Sequence, residues 1–215
     1  MNNSNIAIKY LGIQDYSTVF ERMKQFTLER IEKKHEHQTS QDEIWLVQHP
    51  PVYTQGQAGK PEHILSASSI PIIQTDRGGQ ITYHGPGQVV AYLLLSLKQY
   101  NLNVRDLVCL QERAIITLLK QYNIDANGSR EAPGVYANGK KIASIGLRIK
   151  QGFSYHGLAL NVDMDLSPFQ SIRPCGLFNM QMTQIKDYAP SVNFSKVEQE
   201  LAEILLDLLK QSTKN

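Results

Sequence analysis

Residues 134–162 read GVYANGKKIASIGLRIKQGFSYHGLALNV and contain three strand patterns separated by two turn signals. Asn138-Gly139 lies between Gly134–Ala137 and Lys140–Lys150, and this dipeptide favours the tight hairpin turns that need a positive φ. A second turn leads into a strand that runs from Phe153 to about Val162. The stretch therefore predicts antiparallel strands joined by short turns.

Apolar periodicity outside this stretch predicts three helices and three further strands. The expected helices cover residues 14–34, 103–122 and 195–211, and the expected strands cover residues 43–48, 71–75 and 89–97. Asn103 is the candidate N-cap of the second helix, with Asp106 in its first turn. Ser195, followed by Glu198, predicts a capping box for the third helix. Helices interspersed with strands and hairpins favour an α/β (α+β) fold, a mixed β-sheet with flanking helices.

The length and the charge of the chain limit the classes of protein to which it can belong. A chain of 215 residues suits a single domain over residues 1–215. It holds 22 lysines and arginines against 20 aspartates and glutamates, and this net charge of +2 indicates neither a nucleic-acid partner nor an anionic membrane. The N-terminal residues lack the apolar core of a signal peptide, and the apolar stretch Val89–Leu97 is too short to span a bilayer. We therefore expect a soluble, cytoplasmic protein with reduced cysteines.

The two cysteines, Cys109 and Cys175, differ in their surroundings. Cys109 lies in the second predicted helix among apolar neighbours, so we expect a small buried hydrophobic residue. Cys175 lies in a loop between Pro174 and Gly176. Pro174 restrains the backbone that leads to the thiol, and Gly176 leaves the backbone after it unobstructed, which suits a thiol that attacks a carbonyl. The alternative for Cys175 is a half-exposed thiol in a turn.

Lys141 is the candidate partner of a nucleophilic cysteine, because the thiol must lose its proton to a base or beside a cation. With strict strand alternation Lys141 shares one face with Ala143, Ile145, Leu147 and Ile149. A lysine on an apolar face is unfavourable unless it has a partner or is neutral, which marks a functional candidate. The alternative is a lysine at a strand end whose side chain reaches water.

The segment 77–88 contains four glycines, at 78, 79, 85 and 87, which would let the backbone approach a ligand closely. It is neither a P-loop nor a dinucleotide fingerprint, because the glycine spacing and the following residues differ. A lone histidine is more often structural than catalytic, so we expect His84 to position a substrate, and the same caution holds for His156. His49 is expected in a turn beside the site. These histidines lack metal-ligand spacing, so no metal is predicted.

Four blocks of the sequence resemble octanoyltransferases, a family also called lipoate–protein ligase B. They are residues 77–88 (RGGQITYHGPGQ), 139–148 (GKKIASIGLR), 153–166 (FSYHGLALNVDMDL) and 172–176 (IRPCG). The resemblance runs in order from about His49 to Thr183, which is most of the chain. It implies the α/β fold that the family shares with biotin and lipoate protein ligases.

The resemblance also implies the reaction and its residues. The family transfers an octanoyl group from octanoyl-acyl carrier protein to a lysine of lipoyl domains, in 2-oxoacid dehydrogenase complexes and in the glycine cleavage H protein. By this resemblance Cys175 forms the acyl-enzyme and Lys141 sets its protonation. No cofactor or nucleotide is needed, because the donor thioester is already activated. The residues implied in substrate binding are Arg77, Gly78, Gly79, Gln80, Ile81, Thr82, Tyr83, His84, Ser144, Ile145, Gly146, Gly157, Leu158 and Ala159.

Two alternatives remain open from the sequence. An ATP-dependent lipoate or biotin protein ligase uses the same fold, but it needs a segment that cradles phosphates and no catalytic cysteine, so Cys175 counts against it. A non-catalytic module that binds acylated carrier proteins would keep the acyl pocket. Such a module would lose nothing if Cys175 were replaced by serine.

Overall fold

The computed structural model describes residues 6–66, 68–129, 132–174 and 180–213 of the chain. These residues form ten β-strands and three α-helices. In chain order the strands are β1 (Ala7–Ile13), β2 (Glu43–Gln48), β3 (Val52–Gln55), β4 (Ile72–Gln74), β5 (Ile81–His84), β6 (Gln88–Leu94), β7 (Ala126–Gly128), β8 (Gly134–Ala137), β9 (Lys140–Lys150) and β10 (Phe153–Asn161). The helices are α1 (Tyr16–His35), α2 (Val104–Gln121) and α3 (Phe194–Ser212).

Two mixed sheets form the framework of the fold. The larger has seven strands in the order β1-β2-β6-β10-β9-β8-β7, and the smaller has three in the order β4-β3-β5. In the large sheet β1 runs parallel to β2, whereas the other pairings are antiparallel. In the small sheet β3 is parallel to β4 and antiparallel to β5. Mixed sheets with flanking helices confirm the predicted fold class.

The helices cover both faces of the large sheet. One face packs against α2 and α3 through a core that includes Val89, Ala91 and Leu93 of β6. The opposite face packs against α1 and includes Val90 and Tyr92 of the same strand. Because β6 is buried on both faces, its sequence is apolar without alternation.

Both predicted turns around β9 are confirmed. Asn138 and Gly139 have φ values of 47° and 74°, the left-handed backbone that a two-residue hairpin turn requires. Gln151 and Gly152 have φ values of 49° and 90° at the turn into β10. The central strands therefore follow directly from the turn residues of the sequence.

The helix ends were predicted correctly in part. Asn103 is the N-cap of α2 and Asp106 lies in its first turn, as expected, and the two side chains also form a capping box. The predicted cap of the third helix is wrong, because Asn193 is the N-cap of α3 and its side chain accepts a hydrogen bond from the backbone of Lys196. Ser195 lies inside the first turn. Among the described residues, no helix combines the length and the apolar character needed to span a bilayer.

Four strands were not predicted: β1, β3, β5 and β7. The strand β5 lies inside the glycine-rich segment, and β3 begins directly after two prolines. The strand expected over 89–97 ends at Leu94, and a short 3₁₀ helix follows over Leu97–Tyr100. Short strands flanked by glycine and proline carry little periodic signal.

Cys109 is exposed, so the expectation of a buried cysteine is wrong. The buried residues of α2 include Leu107, Leu110, Ala114 and Leu118, which recur at helical spacing. Cys109 follows Leu107 by two residues, and this step turns its side chain to the opposite side of the helix.

Candidate active site

A cleft of about 580 Å³, counted with its part open to solvent, lies between the two sheets. Its floor is the α1 side of the large sheet, where β9 and β10 contribute Ser144, Gly146, Gly157 and Ala159. These small residues leave room above the two strands. The cleft is therefore a consequence of side-chain size along two paired strands.

The loop that begins at Arg77 forms the roof of the cleft. The backbone N–H of Gly78 donates to the carbonyl of Leu147 on β9 at 2.9 Å. A Cβ atom at Gly146 would lie 3.2 Å from the carbonyl oxygen of Gly78, so glycine at this position permits the close approach. The Nη2 atom of Arg77 donates to the carbonyl and the hydroxyl of Thr54 at 2.6 and 3.0 Å, which ties the roof to β3.

Lys141 is buried at one end of the cleft, with 1% of its surface exposed. Its Nζ atom donates to the carbonyl oxygen of Pro133 at 3.1 Å and lies 5.4 Å from the centre of the Tyr136 ring. Its backbone N–H donates to Gln181 at 2.8 Å, and its carbonyl accepts from Thr183 at 3.0 Å. The alternative of a solvated lysine at a strand end is therefore wrong.

The side of the sheet on which Lys141 lies differs from the expectation. Val135 pairs with Ala143 and Tyr136 pairs with Lys141, so Ile142 is an extra residue in β9. Such a bulge reverses the alternation. Ile142 and Ala143 both join the core under α2 and α3, and Lys141 lies instead in the cleft. The predicted common face of Lys141 and Ala143 is wrong.

Cys175 lies outside the described residues, so the structure describes neither its side chain nor its distance to Lys141. The preceding residue, Pro174, is described and lines the same cleft as Lys141. The residue that precedes Cys175 in the sequence therefore lies at the wall of the cleft that contains Lys141.

A chain of hydrogen bonds runs from the roof towards Lys141 beneath the cleft. His84 shares a hydrogen bond of 3.2 Å with the Thr54 hydroxyl at its Nε2 atom and one of 2.7 Å with Gln88 at its Nδ1 atom. The Gln88 amide donates to Asn161 at 2.9 Å, and the Asn161 amide donates to the carbonyl of Thr183 at 2.9 Å. The backbone N–H of Thr183 in turn donates to the carbonyl of Lys141. A continuous series of hydrogen bonds therefore joins Thr54 to the strand that carries Lys141.

Burial keeps two histidines near the cleft neutral. It lowers the pKa of His84 to about 3 and that of His49 to about 4. His49 shares hydrogen bonds of 2.7 Å with the carbonyl of Gln14 and 2.8 Å with the hydroxyl of Tyr92. His49 lies in the connection between β2 and β3, beside the site as expected, and its ring holds Tyr92 of the cleft wall.

His156 adopts an unusual conformation in the cleft wall. Its φ of 60° lies in the left-handed region although it is inside β10, and its Nε2 atom is 2.9 Å from Asp76. Burial lowers the pKa of His156, while the hydrogen bond to Asp76 opposes that shift. Burial would raise the pKa of Asp76, but hydrogen bonds from His156 and Tyr155 outweigh it and lower that pKa.

The structure brings most of the predicted site residues together. The cleft is lined by Arg77, Gly79, Gln80, Ile81, Thr82, His84, Lys141, Ser144, Ile145, Gly146, Gly157, Leu158 and Ala159. Gly78 and Tyr83 are not part of this lining, and the ring of Tyr83 packs against Tyr53 and Phe169. Among the described residues, histidine, cysteine, aspartate and glutamate form no group of three or more suited to a metal ion.

Five lining residues were not among the predicted site residues: Tyr16, Val90, Tyr92, His156 and Pro174. His156 was weighed only as a lone histidine, which is more often structural than catalytic. Tyr16 was predicted only as part of an amphipathic helix face, and Val90 and Tyr92 only as part of a buried strand. No local signal separates a core residue from one that borders a cleft. For Pro174 the signal was available, because it precedes the candidate nucleophile.

Comparisons of the sequence with known proteins point to one family. The family model described as lipoyl protein ligase A/B catalytic domain matches residues 22–206. The octanoyltransferase of Vibrio atlanticus is 53% identical over 96% of this chain and 91% of its own length. The octanoyltransferase of Legionella pneumophila strain Lens is 52% identical over 94% of this chain and 99% of its own length.

Solved structures of low sequence identity show the same fold. The bi-partite lipoate protein ligase of Thermoplasma acidophilum matches with a TM-score of 0.73 at 14% identity, over 97% of this chain and 85% of that chain. The biotin protein ligase of Aquifex aeolicus matches with a TM-score of 0.55 at 12% identity, over 99% and 72%. With the family model and the close relatives, the chain belongs to the lipoyl protein ligase A/B catalytic domain family and, within it, to the octanoyltransferases.

Proposed function

We propose that this protein transfers an octanoyl group from octanoyl-acyl carrier protein to a lysine of a lipoyl domain, through a thioester on Cys175. The observation that carries the proposal is the buried Lys141 ammonium or amine at the end of an apolar cleft whose wall includes Pro174. A buried lysine in the cleft that Pro174 also lines is suited to supply the cation or base that a thiol nucleophile needs. Relatives at 53% identity carry the name octanoyltransferase.

The first step moves the acyl group from the carrier to the enzyme. The Cys175 thiolate attacks the carbonyl carbon of the donor thioester, and a new carbon–sulfur bond forms as the bond to the carrier sulfur breaks. The carrier thiolate takes a proton from the Lys141 ammonium and leaves as a thiol. Lys141 is then a neutral amine beside an acylated cysteine.

The second step moves the acyl group to the acceptor. The neutral amine of the acceptor lysine attacks the Cys175 thioester, an amide forms, and Cys175 leaves as a thiolate. The proton released by the attacking nitrogen passes to the Lys141 amine, which restores the ammonium–thiolate pair. No oxidant, nucleotide or metal takes part in this balance, and thioester energy drives amide formation.

The roles of the other residues follow from their places in the cleft. We propose that the cleft-lining residues Arg77, Gly79 to Thr82, His84, Ser144 to Gly146 and Gly157 to Ala159 surround the acyl chain and its carbonyl. The acceptors in this proposal are the lipoyl domains of 2-oxoacid dehydrogenase complexes and the glycine cleavage H protein. In this proposal the reaction takes place in the cytoplasm, where the acyl donor is found. Residues 1–215 act as one catalytic domain.

The test is a reconstituted transfer with purified components. Octanoyl-acyl carrier protein and an isolated lipoyl domain are mixed with the enzyme in the absence of nucleotide, and the acceptor mass is measured. We expect an octanoyl amide on the acceptor lysine. Turnover only with ATP and free octanoate would overturn the proposal in favour of a ligase, and no turnover with binding of the carrier would favour a binding module.

A further inference from the structure

The end of the cleft remote from Lys141 is formed by residues of the central strands and of α1. Tyr92 pairs with Gly157, which pairs with Gly146, five residues along β9 from Lys141. Because Ile142 is an extra residue in β9, about four steps of the usual rise separate the two, or roughly 13 Å along the strand, and β6 lies two strands, or roughly 10 Å, to the side. The cleft thus extends diagonally from Lys141 towards Val90 and Tyr92.

Tyr16 of α1 lies at this far end. It is 2% exposed and lines the cleft. Its ring centre lies 5.1 Å from that of His49 and 5.8 Å from that of His84, and His49 is bonded to the hydroxyl of Tyr92. Tyr16 is therefore part of an aromatic wall that joins the helix to β6.

The neighbours of Tyr16 are held in place. His49 is bonded to the carbonyl of Gln14 on one side and to Tyr92 on the other. His84 is bonded to both Thr54 and Gln88. Rings fixed at both nitrogens cannot move far into a space left by a smaller residue, so truncation of Tyr16 should lengthen the cleft instead of collapsing it.

We propose that the side chain of Tyr16 is the stop that limits the length of the acyl chain. This inference rests on the proposed octanoyl transfer and names the residue that selects the chain. An extended eight-carbon chain is about 10 Å long, from carbon–carbon bonds of about 1.5 Å. In this proposal the chain extends from the Lys141 end to the aromatic wall, and carbons beyond the eighth meet the ring of Tyr16.

The size of the effect follows from apolar burial. Each methylene that enters an apolar space gains about 0.8 kcal/mol, which is about fourfold in relative specificity. Decanoyl has two methylenes more than octanoyl. If Tyr16 excludes them in the wild type, its truncation should raise the decanoyl preference by about 15-fold.

The experiment is an internal competition. Wild type and Tyr16→Ala receive equal amounts of octanoyl-, decanoyl- and dodecanoyl-acyl carrier protein with a limiting lipoyl domain, and mass spectrometry gives the ratio of products. This ratio does not depend on how much of the variant is folded. We expect the decanoyl to octanoyl ratio to rise about 15-fold in Tyr16→Ala.

Val19→Ala is the matched control. Val19 lies on the same helix, is fully buried and belongs to the same core, but it is not in the cleft lining. Its truncation loses apolar contacts of α1 without lengthening the cleft. The product ratio of Val19→Ala should therefore equal that of the wild type.

A second variant covers the case in which Tyr16→Ala is inactive. Tyr16→Trp fills the far end further, and it should shift the preference from octanoyl to hexanoyl. An unchanged product ratio in an active Tyr16→Ala enzyme, or in Tyr16→Trp if the alanine variant is inactive, overturns the role of Tyr16. Failure of the wild type to transfer any acyl group from a carrier would instead overturn the proposed function itself.

Discussion

The Nζ atom of Lys141 donates a hydrogen bond to the carbonyl oxygen of Pro133 at 3.1 Å, and this contact holds the lysine head at the end of the cleft. The bulge at Ile142 directs the side chain there, and the backbone bonds to Gln181 and Thr183 fix the strand that carries it. Lys141 is thus positioned by three separate segments of the chain. A positioned buried lysine is the feature on which the proposed chemistry depends.

Replacement of Lys141 should abolish most of the transfer activity while leaving the fold intact. Lys141→Ala removes both the charge and the base, and Lys141→Arg keeps a charge but cannot accept a proton at neutral pH. We expect kcat/KM to fall by at least about 100-fold in both variants, the usual range for loss of a general acid–base residue. Steady-state transfer assays measure this, with circular dichroism as the check on folding.

Lys140→Ala is the control, because Lys140 is adjacent and exposed. The alkylation rate of Cys175 by iodoacetamide, followed against pH in a Cys109→Ser background, separates activation of the thiol from other roles. That background is needed because Cys109 is exposed and would also react. Lys141→Ala should slow alkylation near neutral pH. Identical profiles for Lys141→Ala and the wild type would contradict the pairing of Lys141 with Cys175.

Arg77 should act through the position of the roof. Its guanidinium donates from Nη1 to the carbonyl of Gly78 and from Nη2 to the carbonyl and hydroxyl of Thr54, and lysine, with one nitrogen, cannot reproduce this fork. We expect Arg77→Lys to lower kcat/KM for the acyl donor by about tenfold, the equivalent of about 1.4 kcal/mol and of one hydrogen bond to a charged group.

Arg113→Lys is the comparison for this variant. Arg113 is exposed on α2, which covers the opposite face of the large sheet. It should show the kinetics of the wild type. Equal activity of Arg77→Lys and Arg113→Lys would indicate that the roof does not depend on the guanidinium.

The buried histidines should make the protein less stable in mild acid. His84 and His49 have a pKa of about 3 and about 4 in the folded protein, against an ordinary value of 6.5. Between these values the unfolded chain binds a proton that the folded protein does not, so the free energy of unfolding rises with pH. The stabilisation is complete above pH 6.5 and is lost as the pH falls towards 4 and 3. Each ring can contribute up to about 1.4 kcal/mol per pH unit.

Urea unfolding at pH 7.5 and pH 5.5 measures this dependence. The free energy of unfolding should be lower at pH 5.5, and His49→Gln should show a smaller difference between the two conditions than the wild type. A free energy that is equal at both pH values, or higher at pH 5.5, would contradict the assignment of neutral buried histidines.

The central part of the fold could be predicted because its turns are encoded locally. Asn138, Gly139 and Gly152 adopt the positive φ values that asparagine and glycine favour, and the strands that these turns connect follow. The cap of α3 was misplaced because Ser195 and Asn193 both fit the pattern of an N-cap, and only the backbone geometry distinguishes them. The local sequence therefore predicted which helices and strands form better than it predicted the residues at which they begin and end.

The site could be predicted only in part. Strict alternation placed Lys141 on the face of Ala143, which is wrong, because the bulge at Ile142 depends on pairing with Tyr136 and Val135 and a single strand sequence does not reveal it. Tyr16 and Tyr92 come from elements far apart in the chain, and both contact His49 in the folded protein. The family resemblance supplied the reaction, which no local pattern contained.

The acyl-enzyme tests the central claim most directly. Wild type, Cys175→Ala and Cys109→Ala are incubated with octanoyl-acyl carrier protein without an acceptor, and intact mass and peptide mapping locate any acyl group. We expect one octanoyl group on Cys175 in the wild type and in Cys109→Ala, and none in Cys175→Ala. An octanoyl group that persists in Cys175→Ala, or that maps to Cys109, would contradict transfer through a Cys175 thioester.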